Sequence, residues 1–135
     1  MSGLAFPKPE RGSLRRERES QRAAERAAEL KAKQLAKARD GHKCRWPHKC
    51  ERIDPIESAH LVDKSLGGTN TTDNLITLCQ RVHRGAVSIH SKLLKVEPLT
   101  ERGANGPCAF YQLGESGNWE HVATEKAVGV SEVRR

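Results

Sequence analysis

The stretch ESAHLVDKSLGGTNTTDNLITLCQRVHRG, residues 57–85, sets out His60, a Gly-Gly turn, Asn74, Cys79 and His83 in that order. Phosphodiester hydrolysis needs a base to activate water and a metal ion to stabilise the charge developing on phosphate and leaving oxygen. An unperturbed imidazole titrates close to neutral pH, which suits the base. An amide oxygen can hold a ring or ligate a hard cation, and a second imidazole can complete a metal shell. Singly, none of these residues is diagnostic. A lone His is more often a surface or core residue than a catalyst. Their order inside one Cys-bounded segment is what points to a site.

Cys44 and Cys50 flank the loop CRWPHKC, which Pro47 bends, and Cys79 follows much later with His83 behind it. Zn²⁺ takes four thiolate or imidazole ligands at tetrahedral positions. Two from a tight loop and two from a later element would meet that need. The spacing is looser than a pair of C-x2-C motifs. The competing reading is a set of buried, inert thiols. Cys108 lies outside the cluster in an apolar strand and reads as core.

These residues need elements to position them. Residues 13–39 are dense in Ala, Arg, Glu, Lys and Leu without Gly or Pro, which predicts a helix with Ser13 as N-cap and Gly41 after its end. Its apolar face, mostly Ala with scattered Leu14, Leu30 and Leu35, is too thin to bury deeply. The helix reads either as an arm lying along phosphates or as a charged extension without a partner. A strand is expected over 53–62, turns at Gly67-Gly68 and TNTTDNL, and a short helix from LITLCQRVH, which Gly85 weakens but need not end. LLKVEPL, CAFYQLG and NWEHVATE predict three short strands, with AVGVSEVRR frayed. Residues 1–12, with Pro7, Pro9 and Gly12, read as unstructured.

Composition narrows the partner. The 135 residues are 36% hydrophobic and 4% aromatic, lean material for a core, so one small domain with extensions is expected that either leaves part of itself unpacked or adds a metal or disulfide staple. A net charge of +7 and a pI near 9.5 suggest an anionic partner, with nucleic acid the commonest. The plain alternative is a soluble protein that happens to be basic. No apolar run approaches the roughly 18 residues of a membrane span, and the first 20 residues hold no apolar stretch long enough to be expected as a secretory signal. A cytoplasmic location is therefore expected, where thiols stay reduced.

The residues C44-x5-C50, ESAHLVDKSLGGTNTTDNLITLC and VHRGAVSIH together resemble an HNH endonuclease, a member of the ββα-metal nuclease group, over roughly residues 42–92. The resemblance implies an α+β fold. It divides into a start and basic helical arm (1–40), an HNH module with a candidate structural zinc (41–96) and a β-rich extension (97–135). It implies metal-dependent cleavage of double-stranded DNA, with His60 as general base and a divalent ion (Mg²⁺, Mn²⁺, Ni²⁺ or Zn²⁺) near Asn74 and His83. Asn74 resembles the middle Asn, which orients the base or supports the metal. Cys44, Cys50 and Cys79 resemble three of four structural zinc ligands, and His90 stands where relatives carry a further His of varied role. Val82 occupies the position of the fourth zinc Cys, leaving His42, His48 or His83 as substitutes. Ala59 stands where many relatives carry a metal-binding Asp or His, with Glu57 and Asp63 as nearby oxygen donors. Lys64, Arg81, Arg84 and Lys92 could neutralise phosphates without reading bases. Trp46 and Trp119 read as packing anchors. The rival expectations are a non-catalytic nucleic-acid-binding module on a degenerate HNH fold and a protein-assembly adaptor.

Overall fold

Helix-forming residues run unbroken up to Arg39, and a computed structural model, which describes residues 11–47 and 55–131, places helix α1 over Arg11–Arg39. Ser13 sits inside its first turn and does not cap it. Gly41, at φ 65°, closes the other end. Its N–H bonds the Ala38 carbonyl, and the His42 N–H bonds that of Lys37, the paired bonds of a Schellman cap. Only Ala36 of this helix is buried, and Leu30 and Leu35 stay exposed, as the thin apolar face requires.

The expected strand over 53–62 is β1, Ile56–His60, and residues 53–54 lie outside the described residues. It pairs antiparallel with β2, Leu75–Cys79, setting His60 opposite Leu75 and Ile56 opposite Cys79. Every residue of β2 is buried, because the Cys44–Trp46 segment lies against it through an Arg45 N–H bond to the Thr77 carbonyl. Helix α2, Gln80–Arg84, follows directly. Gly85 does end this helix, its backbone extended at φ −76° and ψ −168°, and only Gly fits there because a Cβ would stand 2.4 Å from the Arg81 carbonyl oxygen that its N–H bonds.

The remaining chain forms β3 (Leu94–Pro98), β4 (Cys108–Leu113), β5 (Trp119–Ala127) and β6 (Val130–Ser131), an antiparallel sheet in that order. The expected frayed tail therefore includes a short strand, turned back on β5 through Gly129 at φ 75°. The fold is thus α+β, one long helix with two small antiparallel sheets. A division at residues 96/97 would cut β3, and one core spans both sheets: Trp46, Ile76, Leu78 and Val82 pack with Leu94 and Phe110. Trp46 meets Phe110 edge-on at 5.3 Å. Trp119 is not a packing anchor. It is 40% exposed, with the Lys95 ammonium 4.5 Å from its ring centre. No helix among the described residues is long and apolar enough to cross a membrane.

A buried polar chain ties the two sheets to α1. Arg45, 4% exposed, bonds Glu125 Oε1 at 2.5 Å and Oε2 at 3.2 Å, Asp40 Oδ1 at 3.3 Å and the Gly106 carbonyl at 2.9 Å. Burial works to lower its pKa, but the bonds and charges of Glu125 and Asp40 more than offset this and the net shift is upward. Asp40 Oδ2 accepts the Thr77 N–H, and Glu125 accepts the N–H groups of Cys108 and Gly129. Arg39 continues the chain to Asp40, to the carbonyls of Thr72 and Leu75, and to Asn105.

Removing one partner from such a group strands a buried charge. Glu125→Ala is expected to lose about 3–5 kcal/mol of unfolding free energy, read as a lowered urea midpoint at unchanged slope. An unchanged midpoint would mean that the network is energetically idle. Burial raises the Cys108 thiol to about 11, with Arg45 opposing and Glu125 adding to the effect. The unfolded thiol ionises near its reference value of 9.0, so this contribution is complete below that pH and is lost as pH rises toward 11. Stability should therefore fall less between pH 8 and pH 10.5 in Cys108→Ala than in the wild type, and an equal fall in both would assign the decline to another group.

Candidate functional site

Side chains alternate along β1, so Ser58 and His60 share a face while Ala59 turns into the core at 1% exposure. His60 and Ser58 open on a cleft of about 730 Å³ that also takes His83 from α2 and His90 beyond it. Glu29 and Lys33 of α1 form part of its wall. His90 arrives there by backbone bonding. After Gly85 reverses the chain, the Ile89 N–H bonds the Val82 carbonyl and the His90 N–H bonds that of His83. The two rings then meet edge to face with centres 4.5 Å apart.

The two anchored imidazoles are held differently. His60 Nε2 lies 2.7 Å from Asn70 Oδ1, an amide oxygen that only accepts, so Nε2 carries the proton and Nδ1 the lone pair. His83 Nδ1 lies 3.0 Å from Glu57 Oε1, and a carboxylate likewise places the proton on Nδ1, leaving the lone pair on Nε2. Burial lowers the His83 pKa; Glu57 partly offsets this, and His90 and Arg84 add to the lowering. A neutral imidazole backed by a carboxylate is the form that binds metals. Glu57 thus stands behind His83, also holding Arg84 at 2.7 Å, and is not itself a wall of the cleft.

Asn74 is placed elsewhere. It is 8% exposed, its Oδ1 accepts the Val62 N–H at 2.8 Å, and its Nδ2 donates to the carbonyls of Val62 and Thr69 at 3.0 and 2.9 Å. These bonds close the loop 61–74, and Asn74 faces a separate depression beside Gly67 and Gly68. The close approach explains Gly68, where a Cβ would stand 1.8 Å from the Val62 carbonyl oxygen. So His60 and His83 come together, while Asn74 builds the loop that carries Asn70. Asp63 lines the cleft, but its carboxylate caps the turn at Lys64–Leu66 by accepting the Ser65 N–H, which lowers its pKa.

Among the described residues no group of three or more His, Cys, Asp or Glu side chains is placed to hold a metal ion. Cys79 is buried and Cys44 packs against the same core cluster; Cys50 and His48 lie outside the described residues. Val82, where the resemblance wants a Cys, is core at 4% exposure. Lys64 and Lys92 line the cleft, whereas Arg81 and Arg84 flank a depression on the outer side of α2. Asn70 was not legible as a site residue among the polar residues of TNTTDN, and His90 was legible only through its family position.

Comparison with protein-family models, with curated proteins and with solved structures finds no match to this chain.

The two asparagines should separate experimentally. Asn74→Ala leaves Val62 groups unpaired and is expected to cost about 1–3 kcal/mol of stability. Asn70→Ala should leave stability within about 1 kcal/mol while the His60 ring ¹⁵N shifts move from one tautomer to a mixture. A single His60 tautomer surviving in Asn70→Ala would rule out the anchoring role.

Proposed function

We propose that this cleft hydrolyses phosphodiester bonds of double-stranded DNA as an HNH endonuclease of the ββα-metal group, the hairpin β1–β2 and α2 forming the module. The observation that carries the reading is the convergence of His60, His83 and His90, from three separate segments, on one cleft with Lys64 and Lys92 at its edge. His60 removes a proton from water through Nδ1, the atom that its bond to Asn70 leaves unprotonated. Lys64 and Lys92 draw the phosphate in. His83 and His90 offer imidazole nitrogen to a divalent ion, with Glu57 fixing the His83 ring. When bound, that ion stabilises charge on the phosphate and leaving oxygen. Asn74 supports this arrangement through the loop it closes. Cys44, Cys50 and Cys79 are the proposed ligands of a structural zinc.

A second reading, a non-catalytic nucleic-acid-binding module, is favoured by Ala59 and Val82, which fill core positions where the resemblance wants ligands. A plasmid-nicking assay with Mg²⁺, Mn²⁺ or Ni²⁺ separates the two. The nuclease is expected to nick DNA, and His60→Ala to lose about 10²- to 10⁴-fold in rate while DNA affinity persists. Metal-loaded protein that binds DNA without cutting it supports the second reading. DNA affinity that is weak and insensitive to salt would favour an assembly adaptor over both. Elemental analysis of wild type and Cys79→Ser separates the zinc from the ion of the cleft: only the zinc should depend on Cys79.

A further inference from the structure

Helix α1 carries more charge than the cleft uses. Arg11, Arg15, Arg18, Arg22 and Arg26 recur at spacings of four and three, which places all five on one face. All five are exposed. The same spacing continues to Glu29 and Lys33, the two α1 residues in the wall of the histidine cleft. Glu29 is held between Lys33 at 3.0 Å and Lys64 at 3.1 Å, so the junction keeps a net positive charge. Glu19 and Glu25 border the stripe on its two sides, Glu19 paired with Arg15, and Glu17 faces away. The five arginines therefore form a line about 22 Å long at about 1.5 Å per residue, leading straight into the cleft.

We infer that this stripe tracks the phosphate backbone of a DNA duplex whose neighbouring segment lies in the cleft. Guanidinium forks suit phosphate oxygens, and at about 3.4 Å per base pair the stripe covers about six base pairs on one side of the cleft. An anionic lipid surface fits less well. A helix lying in a membrane plane needs a broad apolar face, and α1 offers Ala with scattered Leu14, Leu30 and Leu35. The direction of the flank rests on the proposed role of the cleft; the contact of the stripe with duplex DNA does not.

Two full-length variants with the same change in net charge test this: Arg18→Gln with Arg22→Gln on the stripe, and Arg16→Gln with Lys31→Gln on other faces of α1. Gln keeps helix propensity, and circular dichroism checks the helix. Affinity for a 20-base-pair duplex is measured by anisotropy against salt, without added divalent ions. The stripe pair is expected to lower the slope of log affinity against log salt by about 1.8, at about 0.9 per phosphate contact, and the control pair by less than half of that. Equal losses in both pairs overturn the inference, leaving bulk charge as the cause. Binding to vesicles containing phosphatidylserine, in place of duplex, also overturns it. A stripe-dependent slope in a protein that never nicks DNA supports the inference and sinks the nuclease reading alone. Nicking with a slope indifferent to the stripe does the reverse.

Discussion

The buried guanidinium of Arg45 is the constraint on which the rest of the fold depends. A charge at 4% exposure is tolerable only when its bonds are met on every side, and here they come from Asp40 just past α1, from β5 and from the turn before β4. Asp40 and Arg39 pass the restraint to β2 and to the turn before it, through the Thr77 N–H and the Leu75 and Thr72 carbonyls. The end of α1 is thereby locked to the strand paired with β1. Since Glu29 and Lys33 stand two to three turns upstream on that helix, the same lock sets one wall of the histidine cleft against the other. A lean core of small sheets would not define that relationship alone, because apolar packing is non-directional.

In and around the cleft, similar side chains are held by unlike partners. Asn74 and Asn70 are four residues apart, yet one has its amide enclosed by backbone and the other presents an oxygen to an imidazole. His60 and His83 are protonated on opposite nitrogens because an amide oxygen backs one and a carboxylate the other. On the proposed reading, this difference separates a proton acceptor from a ligand.

Much of the architecture could be read from local chemistry. The composition of residues 13–39 marks α1, Gly41 marks its end, and alternation and turn residues mark β3, β4 and β5. His60 and His83 were visible as a pair. What escaped depends on partners distant in the chain. Arg45 and Glu125 are 80 residues apart, and neither stands out as buried in its own segment. Gly85 proved a stop because its own backbone turns extended, at φ −76° and ψ −168°, which composition does not reveal. Asn74 read as an active-site residue because an amide suits both ligation and loop closure, and only the positions of Val62 and Thr69 decide between them. Trp119 read as core because aromatics are scarce here, but its place at the β4–β5 hairpin leaves it outside.

Glu125 also receives the Gly129 N–H, so the carboxylate that neutralises Arg45 closes the β5–β6 hairpin as well. During synthesis on the ribosome, α1, β1, β2 and every residue of the cleft emerge before this hairpin does. Until then Arg45 has Asp40 beside it but lacks its closest counter-charge, Glu125. A chain still missing those distal strands therefore carries its basic arm beside a buried arginine with only one of its two counter-charges.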